Sequence, residues 1–380
     1  MKRLVVLGAT GSIGRQTLAV ADHLGMEVAA VAARRGSEEL LAIAAERPDA
    51  VIGVTAPTEA ERERFSATLG GRVRFGPEVL VEQAALPGAV VMNAVVGSAG
   101  LAASVAALDA GNRLALANKE SLVAGGPVVA AALARGGGEL VPVDSEHSAL
   151  HQCLIGEDRA AVRRVVLTAS GGPFRGMPTE LLESVAVEAA LEHPTWQMGP
   201  RITIDSATLM NKAFEVIEAH HLFGFGYDAV DVVVHPESIV HALVEFVDGS
   251  LKAHLGEPDM RVPIQYALTE PGRRPALAAP FSLVGKALTF EPPDLEAFPC
   301  LRLGYEAGRI GGSAPTTLNA ADEIAVRAFL DRKIGFASIP VVVERTLADV
   351  AVRALESIED VLAVDREARA VATGHLGVSC

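Results

Sequence analysis

Short apolar runs that stop at turn residues alternate with helical periodicities along the first 143 residues. Leu4–Leu7 runs into the turn Gly8–Gly14, and a helix follows to about Leu24. Glu27–Ala32 is the next strand, Ser37–Glu46 a helix and Ala50–Val54 a strand. Val90–Asn93 and Leu114–Ala117 are further short apolar strands that end in turns. Strands joined through helices have to run parallel, so this rhythm predicts an α/β fold: a Rossmann-like parallel sheet with helices on both faces.

The texture changes near Asp144. Val165–Thr168 and Val230–Val234 read as strands, and Val240–Phe246 and Leu251–Leu255 flank Asp248-Gly249, the signature of a type I′ hairpin. Ala207–His221 reads as one helix with Leu209, Phe214 and Ile217 on its apolar side. Ser170–Arg201 is long, rich in Gly and Pro, and holds the single Trp, which predicts a lid and not a packed connector. Prolines 271, 275, 280, 292, 293 and 299 mark a linker with one strand, Ala287–Phe290, and helical patterns follow. The expected organisation is a dinucleotide-binding domain over 1–143 and an α+β catalytic, metal-binding and dimerisation domain over 144–270, with its lid at 170–201. A linker over 271–297 and a helical domain over 298–380 complete it.

Half of the residues are hydrophobic and 21% are charged, enough apolar surface for well-buried cores. A net charge of -14 speaks against nucleic acid as a partner, because phosphate-backbone binding rests on Lys and Arg. Cys153, Cys300 and Cys380 are too few and too scattered for a disulfide framework and read as free thiols. The apolar run before Gly8 is too short for a secretory signal. Asn93, Gly97, Ser98, Gly100 and Ser104 interrupt the apolar stretch Ala89–Leu108, which reads as strand, turn and helix and not as a membrane span. The expected location is the cytosol.

The candidate chemistry starts at Gly8-Ala9-Thr10-Gly11-Ser12-Ile13-Gly14. Glycines between a strand and a helix let backbone approach a pyrophosphate, and the helix start offers N–H groups to it. The second strand ends in Ala32-Ala33-Arg34-Arg35, without the acid that binds the ribose hydroxyls of NAD. Two arginines suit a 2′-phosphate, so NADPH is favoured. Asp144 and Glu146, if the chain there is extended, point the same way and offer hard oxygen ligands to a divalent cation. On a helix Asn211 and Glu215 share a face, and Lys212 lies three residues from Glu215. That places a metal-reaching carboxylate beside two phosphate-binding groups. Taken alone, the acidic pair also fits a solvated turn, and the helix fits an ordinary amphipathic one with an ion pair. Ser170-Gly171-Gly172-Pro173 suits an anion cradle or a turn, Trp196 a ligand cover or a packing residue, and Asn118-Lys119-Glu120 a ligand edge or a polar helix start.

Together these segments resemble the 1-deoxy-D-xylulose 5-phosphate reductoisomerases over nearly the whole chain. Ala117–Glu120, Val143–His147, Ser170–Arg175, His193–Trp196, Asp205–Thr208 with Asn211-Lys212, Gly256–Arg261 and Leu318–Ala321 carry the resemblance along with the glycine turn. The family turns 1-deoxy-D-xylulose 5-phosphate into 2-C-methyl-D-erythritol 4-phosphate by rearranging the skeleton and then reducing an aldehyde with NADPH. The resemblance implies a homodimer that needs Mg²⁺, Mn²⁺ or Co²⁺, held by Asp144, Glu146 and Glu215. It implies substrate contacts from Lys119, Ser145, Glu146, Ser170, His193, Trp196, Ser206, Asn211, Lys212 and Glu215, with Lys119 and Glu146 in catalysis. Thr10, Gly11, Ser12, Ile13, Ala33, Arg34, Arg35, Asn118, Glu120 and Gly199 would serve the cofactor. Two features depart from the family. Ala33-Arg34-Arg35 stands where Gly, Lys and Asn are usual, and Asp322 stands where Asn is usual.

Two other readings fit parts of the chain. A semialdehyde dehydrogenase also begins with Gly-x-Thr-Gly but needs an activated cysteine, for which Cys153 is the candidate. A non-enzymatic NADPH-sensing regulator would need no carboxylate cluster.

Overall fold

The computed structural model describes residues 3–196 and 198–377, so Cys380 lies outside the described residues. The chain forms two compact units. The first comprises Met1–Ser121, Val128–Ser148 and Asp259–Pro280, and the second Leu122–Pro127, Ala149–Pro258 and Phe281–Cys380.

In the first unit, strands β1 (Arg3–Leu7), β2 (Val28–Ala33), β3 (Val51–Val54), β4 (Val73–Phe75), β5 (Ala89–Asn93), β6 (Arg113–Leu116) and β7 (Glu139–Pro142) make one sheet in the order β4-β3-β2-β1-β5-β6-β7. Every neighbouring pair is parallel. Leu4 to Leu7 are wholly buried, as strands covered on both faces require. The chain winds outward from β1 in both directions, so the β1/β5 boundary is the switch point where such sheets bind ligands. Helices α1 (Ser12–Leu24), α2 (Glu38–Glu46) and α3 (Glu59–Leu69) connect β1 to β4, and α4 (Lys119–Val123) follows β6. Helix α5 (Ser145–Leu154) follows β7 and carries the chain into the second unit. Helix Arg261–Thr269 returns to the first unit, and its Ile264, Tyr266, Ala267 and Leu268 join that core. The sequence pattern hides this helix because Pro263 stands in its first turn, where a missing N–H costs little.

The second unit holds strands β8 (Val162–Ala169), β9 (Val230–Val234), β10 (Val240–Phe246) and β11 (Leu251–Leu255) in the order β11-β10-β8-β9. The β10–β11 hairpin forms where expected, but its turn is not type I′. Gly249 has φ +84°, Asp248 is not in the positive-φ region, and Gly249 N–H donates to Phe246 O at 3.0 Å. A type I′ turn needs positive φ at both central residues; here one left-handed glycine closes a longer loop. The expected strand Ala287–Phe290 is absent, and the linker touches the sheet through a single bridge between Val234 and Glu291. Prolines 292 and 293 directly after it allow no ladder to extend.

The helix expected over Ala207–His221 forms as α7 (Met210–Phe223), and a separate helix, α6 (Pro200–Ala207), ends just before it. Leu209, at φ 61°, breaks the run, and Thr208 Oγ1 bonds to both helix ends, donating at Ile204 O (3.1 Å) and accepting from Met210 N–H (3.3 Å). Segment 170–201 is also more ordered than its Gly and Pro content suggests. Helical turns at Thr179–Leu182 and Val187–Ala190 bury Leu182, Val187 and Ala190 in the main core. Four helices, Cys300–Ile310, Ala314–Leu330, Ser338–Asp349 and Ile358–His375, complete the described part of the unit. Among the described residues no helix is long and apolar enough to cross a membrane.

Gly304 sets how closely helix Cys300–Ile310 approaches α7: a Cβ there would lie 2.4 Å from Ala213 Cβ and 2.9 Å from its Cα. Gly304→Ala should therefore push the helices apart at a cost of about 1–3 kcal/mol. Calorimetry should show a melting temperature several degrees lower. An unchanged melting temperature would mean that the contact has slack.

Candidate active site

The glycine turn is shaped by close backbone approach. Gly8, at φ +88°, lies where a Cβ would meet Ala94 O at 2.4 Å, and a Cβ on Gly14 would meet Gly8 O at 2.2 Å. Gly11 caps α1 without a side-chain hydrogen bond, and both Gly11 and Ser12 are exposed, so the first N–H groups of α1 face an open turn. Thr10, Gly11, Ser12 and Ile13 thus line a cradle suited to a pyrophosphate at the switch point. Ala33 is buried at the end of β2, and Arg34 and Arg35 emerge exposed just beyond it. Arg35 Nε donates to both carboxylate oxygens of Glu61 at 3.1 Å. Arg34 forms no ion pair among the described residues.

Asn118 and Glu120 hold the loop after β5 and also start a helix. Asn118 Nδ2 donates to Val95 O (2.8 Å) and Gly97 O (3.0 Å), while its Oδ1 accepts from Ser121 N–H (3.1 Å) at the start of α4. Glu120 Oε1 accepts from Gly97 N–H at 3.0 Å.

The chain at Asp144-Ser145-Glu146 is not extended: α5 begins at Ser145. Asp144 caps it, with Oδ1 accepting from Glu146 N–H (3.1 Å) and His147 N–H (3.2 Å). Lys119 Nζ donates to Asp144 Oδ2, and Ser145 Oγ donates to Glu146 Oε2 at 2.6 Å. The first unit therefore holds two carboxylates, a lysine and a serine at one helix start. Oxygen donors without thiolate fit a hard divalent ion.

In the second unit Glu215 is 1% exposed and Lys212 4%. Lys212 Nζ donates to Glu215 Oε2, and Asn211 Nδ2 donates to Glu215 Oε1 at 2.6 Å. Asn211 and Lys212 occupy the first turn of α7, where the helix dipole favours an anion. Gly172, at φ +68°, packs against the end of α6; a Cβ there would meet Ala207 Cα at 2.9 Å. That approach brings Ser170, just past β8, to Ser206 on α6, and His193 Nε2 lies 2.9 Å from Ser170 Oγ and 3.1 Å from Ser206 Oγ. Trp196 is half-buried three residues beyond His193, and Gly199 caps α6.

The sequence reading missed what anchors α6. Arg201 donates to Asn319 Oδ1 (2.9 Å) and Asp322 Oδ2 (3.3 Å), and Arg369 bonds Glu323 (2.8 Å) and Asp365 (2.7 Å) in the same cluster. Burial raises the Asp322 carboxyl well above its usual range, against the opposing pull of Arg201. The unusual Asp322 thus supports the helix that carries Ser206. Its signal was the departure from the family pattern, but only packing reveals its partner.

Cys153 is buried, and burial pushes its thiol up to about 11. Cys300 is buried too, and burial likewise holds its thiol well above the usual range. Neither offers the thiolate that a semialdehyde dehydrogenase needs.

A doubly wound sheet with a glycine cradle at its switch point defines a dinucleotide-dependent oxidoreductase. Family models described as 1-deoxy-D-xylulose 5-phosphate reductoisomerase match residues 4–126, its C-terminal domain residues 140–223, and the DXP reductoisomerase C-terminal domain residues 255–371. The chain is 48% identical over 376 residues to the 1-deoxy-D-xylulose 5-phosphate reductoisomerase of Desulforamulus reducens, with 97% of each chain covered. To that of Pseudomonas aeruginosa it is 46% identical over 393 residues, with 99% of each covered. The solved structure from Zymomonas mobilis in complex with NADPH superposes with a TM-score of 0.93 at 41% identity, covering 100% of both chains. A DOX-P reductoisomerase in complex with NADPH, fosmidomycin and magnesium gives 0.91 at 37% identity, covering 99% of this chain and 98% of that one. The chain belongs to the 1-deoxy-D-xylulose 5-phosphate reductoisomerase family.

The exposed Arg34 and Arg35 generate a test of cofactor choice. A charge-assisted contact to a 2′-phosphate is worth about 1.5–3 kcal/mol, so the double Ala variant should lose roughly tenfold or more of its preference for NADPH over NADH. Steady-state kinetics with both cofactors measures this. A preserved preference would assign the phosphate to another residue.

Proposed function

We propose that the protein converts 1-deoxy-D-xylulose 5-phosphate to 2-C-methyl-D-erythritol 4-phosphate, using NADPH and a divalent metal ion. What carries this reading is the joint presence, in a chain of this family, of a dinucleotide cradle at Gly8–Gly14 and a hard-oxygen carboxylate set. Solved relatives in complex with NADPH and with magnesium support the same cofactors here. Thr10 to Ile13, Ala33, Asn118, Glu120 and Gly199 serve the dinucleotide, with Arg34 and Arg35 on its 2′-phosphate. Asp144, Glu146 and Glu215 are the metal ligands. Ser170, His193, Ser206, Asn211 and Lys212 receive the phosphate end of the substrate, Ser145 contacts it, and Trp196 covers it.

When bound, NADPH supplies the hydride and the divalent ion a Lewis acid. The chain's own residues bind, orient and move protons. Lys119 carries a positive charge to steady developing oxygen charge. Glu146, hydrogen-bonded by Ser145, takes or gives a proton at a carboxylate oxygen. Within the expected lid 170–201, the part from Leu191 to Gly199, which has no regular structure among its described residues, is the part that closes and excludes water. We place the enzyme in the cytosol as a homodimer. The dimer is what the resemblance to the family implies, and the free, buried Cys153 and Cys300 suit a reducing compartment.

The test is NADPH oxidation with the ketose phosphate, with and without Mg²⁺, Mn²⁺ or Co²⁺. Metal-dependent turnover is expected, and no oxidation with any of the three would sink the reading. Glu215→Gln removes one ligand charge far in sequence from the dinucleotide cradle. It should leave NADPH affinity within about twofold and cut turnover by on the order of a hundredfold at low metal. Normal turnover at low Mn²⁺ would remove Glu215 from the ligand set.

A further inference from the structure

His193 sits at the start of the lid, and its ring bridges two sets of groups. On one side, Nδ1 lies 3.1 Å from the backbone N of Thr195 and 2.9 Å from that of Trp196. Two N–H donors aimed at one ring nitrogen require it to present a lone pair. In a neutral ring the proton is then on Nε2. On the other side, Nε2 faces Ser170 Oγ at 2.9 Å and Ser206 Oγ at 3.1 Å. An Nε2–H can only donate, so both hydroxyl oxygens stand as acceptors toward the ring, and neither hydroxyl proton is used there. Ser170 Oγ also accepts from Gly172 N–H at 3.2 Å. The remaining capacity of Ser170 and Ser206 is therefore to donate, which is what an incoming anion requires.

Resting on the reading that these residues hold the substrate's phosphate, we propose that His193 is a neutral donor whose Nε2–H turns the Ser170 and Ser206 hydroxyls toward the anion and whose tautomer is set by the lid's own backbone, so that ordering Thr195–Trp196 and arming the phosphate site are one event. A proton on Nδ1 would face two N–H groups and release them, loosening the segment that carries Trp196. The imidazolium is thus disfavoured by geometry, and burial lowers the ring's pKa in the same direction. The positive charge toward phosphate is left to Lys212, while His193 contributes direction. The ring acts as a latch as well as an orienting group: it holds the lid through Nδ1 and, through Nε2–H, the two serine hydroxyls whose protons face the anion.

The experiment is ring ¹⁵N NMR on the full-length protein with inorganic phosphate as the probe, the His193 signals being identified by their loss in His193→Gln. At neutral pH without ligand, Nδ1 should resonate as an unprotonated nitrogen and Nε2 as a protonated one, and phosphate should move Nε2 while sparing Nδ1. A ring protonated on Nδ1, or on both nitrogens, overturns the proposal even if phosphate binds. The expected tautomer with an Nε2 that ignores phosphate overturns the donor role and with it the phosphate-site reading. Two variants divide the functions. His193→Gln keeps an N–H near the Nε2 position but cannot receive the backbone N–H groups. It should bind phosphate within about threefold of the parent and lose the phosphate-induced change in Trp196 fluorescence. His193→Asn keeps an acceptor near the Nδ1 position and loses the outer donor. It should keep parental Trp196 emission and bind phosphate about tenfold more weakly. Identical behaviour of the two variants would show that the ring has no divided role.

Discussion

A carboxylate withdrawn from water has to be neutralised, and each unit solves that problem at its own candidate residues. In the first unit Asp144 is paired with Lys119, and in the second Glu215, almost without exposure, is paired with Lys212. An unpaired buried charge costs several kcal/mol, while a paired one can persist if its remaining oxygens are also bonded. The neighbours supply those bonds: helix N–H groups for Asp144 and the Asn211 amide for Glu215. Asp144 and Glu215 thus each rest on an ammonium group. One constraint places acids and bases side by side in each unit.

The break at Thr208–Leu209 serves the same end. A single helix from Pro200 to Phe223 would carry Ser206 and Lys212 at fixed helical spacing. Leu209 in the left-handed region ends one helix and starts another, so that Asn211 and Lys212 fall in a first turn with its dipole and open N–H groups. Thr208, bonding both ends with one hydroxyl, makes the break affordable.

Much of this was legible in the sequence where one residue type carries one meaning. The strands β1, β2 and β5 show as apolar runs because both faces are covered, and Gly8 and Gly14 announce themselves because only glycine fits. The three-residue β4 is too short for periodicity, and helix Arg261–Thr269 is masked by Pro263. Leu209 gives no warning, since leucine is not a residue that signals positive φ. At the site, motif order identified the residues but not their state. Asp144 was read as extended and proves to be a helix cap. His193 was read as a contact, while its tautomer is visible only once Thr195 and Trp196 are seen to point N–H groups at one nitrogen. Asp322 stood out as unusual, but its partner Arg201 lies too far along the chain for any local pattern to find.

The route of the chain has a consequence for inheritance. It changes unit after residues 121, 127, 148, 258 and 280, so neither unit is a continuous stretch of sequence. A gene segment cut at any one point cannot encode the nucleotide-binding unit alone, because its last helix is written more than a hundred residues after its last strand. Recombination that trades ready-made cassettes between enzymes has nothing here to lift out whole. Cofactor preference in such a chain can drift by single substitutions, but it cannot be acquired as a module.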